Sequence, residues 1–134
     1  MKIVLDTNVF ISGIFFGGPP SQILQSWRKS QIKIVLTEQI LEEYQRIGEE
    51  LSAKYPSINI EPIIELFTIF GEFVETKGII ETICEDPDDN KFVERAIACQ
   101  SKLIVSGDKH LLKISGYKEI EVLKPRQFVD NYLK

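Results

Sequence analysis

The strongest constraint on the fold is a short aliphatic run, residues 3–5, that stops abruptly at Asp6-Thr7-Asn8. Three consecutive aliphatic side chains predict a strand buried on both faces, as in the middle of a parallel sheet. The small polar residues that follow suit a turn or a helix N-cap. Ligands of open parallel sheets bind beyond the carboxyl ends of central strands, so Asp6 is either a ligand-facing carboxylate or a simple cap.

Strand and helix patterns alternate along the rest of the chain. Strands are predicted at residues 32–36, 73–76, 103–105 and 120–123, with a further extended segment at 79–83. Helices are predicted at residues 9–16, 21–29, 37–51, 61–73, 91–100 and 125–133, from apolar side chains at helical spacing. This order predicts an α/β fold, a three-layer α/β/α sandwich with a mostly parallel central sheet, formed by a single domain of residues 1–134.

Composition narrows the class of protein. The chain has 134 residues, of which 43% are hydrophobic and 27% charged, as in ordinary globular domains. Neither a membrane-spanning run nor a signal peptide is visible, and Cys84 and Cys99 lack a metal-ligand spacing, so we expect a cytoplasmic protein. A net charge of −4 argues against broad binding to polyanions, unless acidic side chains hold cations where the polyanion binds.

Four acidic residues share one predicted position in the fold. Asp6 and Asp108 follow predicted strands, Asp89 opens the helix before the strand at 103–105, and Glu43 lies about one and a half turns beyond the Thr37 cap. Carboxyl ends of parallel strands and the N-termini of the following helices lie on one edge of a sheet, so these side chains should converge.

Converging carboxylates predict a metal site. Two carboxylates within ~4–6 Å of each other either raise one pKa or require a cation. Oxygen ligands without a His or Cys cluster favour Mg²⁺ or Mn²⁺ over Zn²⁺. Such ions support phosphodiester hydrolysis, because one ion generates hydroxide and a second, ~3.5–4 Å away, stabilises the leaving oxygen.

Four segments, in order, resemble the PIN domain, and in particular the toxins of toxin–antitoxin pairs. They are Val4-Leu5-Asp6-Thr7-Asn8-Val9, Leu41-Glu42-Glu43-Tyr44, Asp86-Pro87-Asp88-Asp89-Asn90-Lys91-Phe92 and Val105-Ser106-Gly107-Asp108-Lys109. The resemblance covers essentially the whole chain. It implies an α/β/α nuclease fold and Mg²⁺- or Mn²⁺-dependent cleavage of single-stranded RNA, with an antitoxin protein and a homodimer as possible further partners.

The resemblance also implies roles for individual residues. The four acids of the family match Asp6, Glu43, Asp89 and Asp108, which would be both catalytic residues and metal ligands. Asn8 and Ser106 match positions of polar support for the metal-bound waters. The neighbouring acids fit less well; they are Glu42, Asp86 and Asp88. An apolar residue usually follows the family's Glu, which favours Glu43 before Tyr44, and Asp86 is better placed to cap the helix or turn. Basic residues near the predicted edge, Arg46, Lys91 and Lys109, could contact phosphates.

Each acid also has a simpler interpretation. Asp89 could be an N-cap, Glu43 part of a solvated helix face, and Asp108 part of a turn. The same holds for four aromatic residues that could stack bases, since Trp27, Phe15 and Tyr44 fit core positions, whereas Phe16 lies beside a Gly-Gly break.

Two other α/β classes fit the sequence less well, whereas a non-catalytic relative would share the same motifs. A receiver domain would need an acidic pair after the first strand, and an Asp-nucleophile phosphatase would need a second Asp where Asn8 stands. A non-catalytic PIN-like module that binds RNA or protein remains the alternative, because metal ligands alone do not prove turnover.

Overall fold

Five parallel strands form the centre of the molecule, in the spatial order β3-β2-β1-β4-β5. The computed structural model describes residues 1–73, 92–93, 96 and 102–133. Within them the strands are β1 (Lys2–Leu5), β2 (Lys33–Leu36), β3 (Glu72–Phe73), β4 (Leu103–Val105) and β5 (Glu121–Leu123). The α-helices are α1 (Thr7–Phe15), α2 (Pro19–Arg28), α3 (Glu38–Lys54), α4 (Glu61–Phe70), α5 (Lys109–Lys113) and α6 (Pro125–Phe128). A 3₁₀ turn at Tyr117–Glu119 and a π-helical turn at Val129–Leu133 complete the described elements.

The strand order determines which face of the sheet each connection covers. From β1 the chain moves to β2 and then β3 in one direction, whereas from β4 to β5 it moves the opposite way. Because crossovers between parallel strands are right-handed, α1 to α4 cover one face and α5 the other. Contacts of α1 with α2 and α3, and of α3 with α4, agree with one helical layer on the first face. The predicted α/β/α sandwich with a mostly parallel sheet is confirmed.

The central strands are buried on both faces, as their sequences predict. β1 and β2 both read Lys-Ile-Val-Leu, and in each the lysine is exposed while the three aliphatic residues are buried. They pair in parallel with Lys2 beside Lys33 and Ile3 beside Ile34. β4 is buried throughout. Alternating polar residues are absent from these strands because helices cover both sides of the sheet.

Four aromatic rings form the layer between the sheet and the helices of the first face. Phe10 stacks on Tyr44 with ring centroids 4.2 Å apart, and Trp27 stacks on Phe67 at 4.1 Å. Phe67 contacts Phe10 edge-on and joins the two stacks. All four residues are buried, so Trp27 and Tyr44 are core residues and cannot stack bases of a bound nucleic acid.

Several element boundaries differ from the predicted ones. α1 begins at Thr7, two residues early, and α4 ends at Phe70, three residues early. α4 ends where its C-cap residue, Gly71, leaves the helical conformation for an extended one, with φ −65° and ψ 146°. A side chain would not fit there, since a Cβ would lie 2.5 Å from the Phe67 carbonyl oxygen and 2.7 Å from Leu36 Cδ2. The chain therefore turns into β3, which is described only at Glu72–Phe73.

Other predicted elements fall partly or wholly outside the described residues. Residues 74–76 and 79–83 lie outside them, and of the helix at 91–100 only Phe92, Val93 and Ala96 are described. These three are helical and buried, in agreement with the predicted apolar side of that helix. Across the described ranges, no helix has the length and apolar character needed to cross a membrane.

Candidate metal centre

The carboxyl ends of β1 and β4 lie at the reversal point of the sheet, where the strands on the two sides are connected in opposite directions. β1 leads towards β2 and β3, and β4 leads towards β5. Leu5 pairs with Val105 in parallel register, so the next residues, Asp6 and Ser106, leave the sheet side by side. Open α/β sheets bind ligands in the crevice at such a reversal point. The polar residues that follow the two strands and the topology of the sheet therefore indicate the same candidate site, at the carboxyl ends of β1 and β4.

Asp6 occupies the N-cap position of α1, but its strongest side-chain hydrogen bond leads away from that helix. Oδ2 accepts a hydrogen bond from Ser106 Oγ at 2.7 Å, and no capping hydrogen bond of standard geometry is found for Asp6 among the described residues. Asp6 is 4% exposed and Ser106 is fully buried. Asp6 is therefore held by a residue that follows β4, a contact that a simple helix cap would not need.

Ser106 also connects Asp6 to Asp108. The backbone N–H of Asp108 donates to Ser106 Oγ at 2.9 Å, so the Ser106 hydroxyl donates to one acid and accepts from the backbone of another. Oδ1 of Asp108 accepts from the backbone N–H of His110 at 2.7 Å and caps α5. One oxygen of Asp108 thus caps a helix, where the simpler interpretation placed Asp108 in a turn, and the charge of Asp108 also acts on Asp6.

Glu43 faces α1 and not the solvent. α3 begins where the Thr37 side chain accepts from the Ile40 N–H at 3.1 Å, and Glu43 follows on the same helix. The Thr7 hydroxyl donates to Glu43 Oε2. Arg46 Nη2 lies 3.8 Å from Glu43 Oε1 in an ion pair of which only the arginine is mostly exposed. Glu42 is exposed, which agrees with the choice of Glu43 over its neighbour.

Tyr44, the next residue on α3, reaches the other side of the same turn. Its hydroxyl donates to the backbone carbonyl of Leu5, the residue before Asp6. Burial raises the pKa of Tyr44 well above its usual value, and the charges of Asp6 and Glu43 raise it further. Tyr44 is therefore a neutral hydrogen-bond donor over the whole physiological pH range. Sequence periodicity identified it as a core residue but could not show where its hydroxyl points.

The charges of two neighbouring acids act on Asp6. Burial is the main cause that raises the pKa of Asp6, and the negative charges of Asp108 and Glu43 raise it further. The Ser106 hydroxyl and the backbone N–H of Asn8 act in the opposite direction, since both favour the ionised carboxylate. The site therefore combines a buried carboxylate, two like charges near it, and two hydrogen-bond donors that favour its ionised form.

The donor set fits a hard divalent cation. The described salt bridges pair neither a Lys nor an Arg with Asp6, so its negative charge has no neutralising partner there. Carboxylate oxygens are the ligands that Mg²⁺ and Mn²⁺ prefer. Among the described residues, however, no three His, Cys, Asp or Glu side chains are arranged to hold a metal ion as they stand. A complete site would thus need Asp89, a closer approach of the repelling carboxylates, or both.

The remaining predicted site residues have varied positions. The side chain of Asn8 is exposed, and only its backbone N–H acts on Asp6. Lys109 is exposed at the start of α5. Asp89 and Lys91 lie outside the described residues. The hydroxyl of Ser106 donates to Asp6 and accepts from the Asp108 N–H, and its support of metal-bound waters stays a prediction.

A cavity of about 640 Å³ lies at the opposite end of the sheet. Trp27, Lys33 and Phe70 are among its lining residues, and Lys33 is the first residue of β2. Ligand sites often occupy such concave apolar pockets. Here the acids and the reversal point lie at the carboxyl ends of the strands, so we locate the candidate centre by charge and topology and not by cavity volume.

Comparisons with known proteins agree with the fold and with the motif order. A family model described as PIN domain matches residues 2–110, a range that includes all four predicted acids. A protein of Methanocaldococcus jannaschii, the uncharacterized protein MJ1680, is 29% identical over 148 residues, which cover 100% of this chain and 93% of the relative. No solved structure matches the chain. The chain therefore belongs to the PIN domain family, whose members are generally nucleases.

Proposed function

We propose that the protein is a metal-dependent endoribonuclease that hydrolyses phosphodiester bonds of single-stranded RNA. One observation carries the proposal: Asp6 is a buried carboxylate at the reversal point of the sheet, and the charges of Asp108 and Glu43 act on it. Among the described residues, no Lys or Arg forms an ion pair with Asp6. A buried charge without a partner is costly for stability and is retained where it serves a function. A divalent cation is the partner that would compensate it.

The proposed ligands of this cation are Asp6, Glu43, Asp89 and Asp108, with Mg²⁺ or Mn²⁺ as the ion. When bound, such an ion supplies Lewis acidity and a hydroxide nucleophile at neutral pH. The chain itself holds the ligands in place. Ser106 orients Asp6, and Thr7 donates to Glu43.

An exposed aromatic pair supports a single-stranded substrate. Phe16 is 61% exposed and Tyr55 is 43% exposed, and their ring centroids lie 5.7 Å apart in an edge-on arrangement. Phe16 is the C-cap residue of α1, the helix that begins after Asp6, and the 9 residues of this helix span about 14 Å. Unpaired bases stack on such rings, whereas the bases of a duplex are already stacked. Arg46, Lys91 and Lys109 are proposed contacts to phosphates along this strand.

The biological role that we propose is that of the toxin in a toxin–antitoxin pair. Its support is the resemblance of the four motifs to those of PIN toxins, which also makes an antitoxin and a second copy of the chain proposed partners. The alternative, a non-catalytic module that binds RNA or protein, would not require the acids. The hydrogen bonds that orient Asp6 and Glu43 favour catalysis over that alternative.

The test is cleavage of labelled single-stranded RNA by the purified protein in EDTA, Mg²⁺ or Mn²⁺. We expect internal cleavage with Mg²⁺ or Mn²⁺ and none in EDTA. Asp6→Asn should abolish cleavage, while Asp130→Asn, which changes an exposed acid on the C-terminal turn, should not. Equal cleavage by wild type and Asp6→Asn would contradict the proposal. RNA binding without cleavage under all three conditions would favour the non-catalytic module.

A further inference from the structure

Two consecutive residues of α3 hold the chain on both sides of Asp6. Glu43 accepts from the hydroxyl of Thr7, the residue after Asp6, and the Tyr44 hydroxyl donates to the carbonyl of Leu5, the residue before it. The first contact joins two polar side chains at the site. The second comes from a fully buried aromatic residue that the proposed chemistry does not use.

The Tyr44 contact holds a particular peptide unit. The carbonyl of Leu5 and the N–H of Asp6 belong to one planar group, because the bond between them has partial double-bond character. The Asp6 N–H donates to the Val105 carbonyl of β4 at 3.0 Å. Tyr44 holds the other end of the same plane. With both ends held, this peptide cannot rotate, and the direction in which the Asp6 side chain leaves β1 is determined.

The ring of Tyr44 is itself held firmly. It stacks on Phe10 with an interplanar angle of 7°, and Phe67 contacts it edge-on at 5.7 Å. A phenylalanine would fill this apolar space equally well and would avoid burying a hydroxyl, which costs free energy unless the group is hydrogen-bonded. The hydroxyl is therefore not explained by packing.

We propose that Tyr44 is a positioning residue of the metal centre, whose hydroxyl orients the Asp6 carboxylate through the Leu5–Asp6 peptide. The role assigned to Tyr44 rests on the proposed metal-dependent function. In this role the Tyr44 side chain touches neither the metal nor the substrate. Residues that orient metal ligands typically contribute 10–100-fold to metal affinity or activity, and for a contact that acts through the backbone we expect the lower end, about tenfold.

The test compares Tyr44→Phe with Ser52→Ala by titration of the full-length protein with Mn²⁺. Both variants lose a hydroxyl that donates to a backbone carbonyl, since Ser52 Oγ donates to the Ile58 carbonyl at 3.1 Å, at the far end of α3. We expect Tyr44→Phe to weaken Mn²⁺ binding about tenfold, and to lower kcat with little change in KM. Ser52→Ala should bind Mn²⁺ as the wild type does, even where its melting temperature falls by the same amount.

A rescue variant separates the hydrogen bond from the ring. Tyr44→4-aminophenylalanine retains a donor at the same place and should restore Mn²⁺ affinity towards the wild-type value. Equal Mn²⁺ affinity of wild type and Tyr44→Phe would overturn the positioning role, as would a Tyr44→Phe protein that does not fold. Failure of the wild type itself to bind Mn²⁺ would instead contradict the proposed metal-dependent function, so the two failures are distinguishable.

Discussion

The hydroxyl of Ser106 donates to Oδ2 of Asp6 at 2.7 Å, across 100 positions of sequence. The contact exists because β1 and β4 are neighbours in the sheet and both end at the same level. Oγ of Ser106 in turn accepts from the Asp108 N–H, so one buried hydroxyl links two of the acids that we propose as metal ligands. The shape of the candidate centre therefore depends on the β1–β4 pairing more than on any loop.

Ser106→Ala should weaken the candidate centre and the fold together. The substitution removes the donor that lowers the pKa of Asp6, so this pKa should rise further and Mn²⁺ binding should require a higher pH. Loss of a hydrogen bond to a charged group should also reduce the free energy of unfolding by about 1.5–3 kcal/mol. Urea denaturation and Mn²⁺ titration between pH 5 and 8 measure the two effects. Ser26→Ala, at another buried serine, should leave the pH dependence of Mn²⁺ binding unchanged.

Asp6→Asn should stabilise the metal-free protein although it abolishes cleavage. The folded-state pKa of Asp6 lies above its ordinary value of 3.8, mainly through burial, so folding disfavours the ionised form. The stability of the metal-free wild type should therefore be highest below pH 3.8, as far as Asp6 is concerned. It should fall as the pH rises from 3.8 through the folded-state pKa.

At pH 7 we expect Asp6→Asn to increase the free energy of unfolding by about 0.5–2 kcal/mol, the usual gain from relieving strain at a functional site. Thermal unfolding in EDTA measures it. With excess Mn²⁺ the order should reverse, because binding to the native state stabilises only the wild type. A less stable Asp6→Asn protein in EDTA would show that the charge of Asp6 contributes to the fold.

Asp108→Asn should separate the capping role of this residue from its charge. Asparagine is as good an N-cap as aspartate, so α5 should remain capped and the stability should change by less than about 0.5 kcal/mol. Cleavage should nevertheless fall by about 100-fold or more, if Asp108 is a metal ligand. Asp108→Ala loses both functions and should cost about 0.5–2 kcal/mol of stability in addition. Full activity of a stable Asp108→Asn protein would show that Asp108 caps α5 and is not a metal ligand.

Phe16→Ser should weaken binding of single-stranded RNA without affecting the metal centre. Stacking of one base on an aromatic ring contributes about 1–3 kcal/mol, so KM should rise by about fivefold or more. The Mn²⁺ affinity should not change. Phe70→Ser provides the matched control, since Phe70 is similarly exposed at the end of α4. An equal change in KM for both variants would contradict the proposal that Phe16 and Tyr55 bind the substrate.

The sequence predicted those parts of the fold that depend on local pattern. The three aliphatic residues of β4 and the Thr37 cap of α3 were visible because burial on both faces and capping leave clear local signals. The early end of α4 was missed because the predicted helix continued to Phe73, although Gly71 is a local signal for a helix end. The close approach of Leu36 to Gly71 joins distant segments and leaves no periodic signal in the sequence.

In the candidate centre, too, the positions of residues were predictable from the sequence, whereas their contacts were not. The positions of Asp6, Glu43, Asp89 and Asp108 in the predicted elements pointed to a common edge, and the motif order of the family matched the same four residues. What the sequence could not give is the direction of each side chain. It predicted Asp6 equally well as a cap, and it placed Tyr44 in the core without its contact to Leu5.

The most direct test of the proposed metal centre is anomalous diffraction from crystals of the protein grown or soaked with Mn²⁺. We expect a Mn²⁺ peak at the carboxyl ends of β1 and β4, with carboxylate oxygens of Asp6 and at least two of Glu43, Asp89 and Asp108 at about 2.0–2.3 Å or joined through one water. The same crystals of Asp6→Asn should lack the peak. A structure at saturating Mn²⁺ with no ion beside Asp6, or with its ion elsewhere, would contradict the metal centre and the proposed hydrolysis that depends on it.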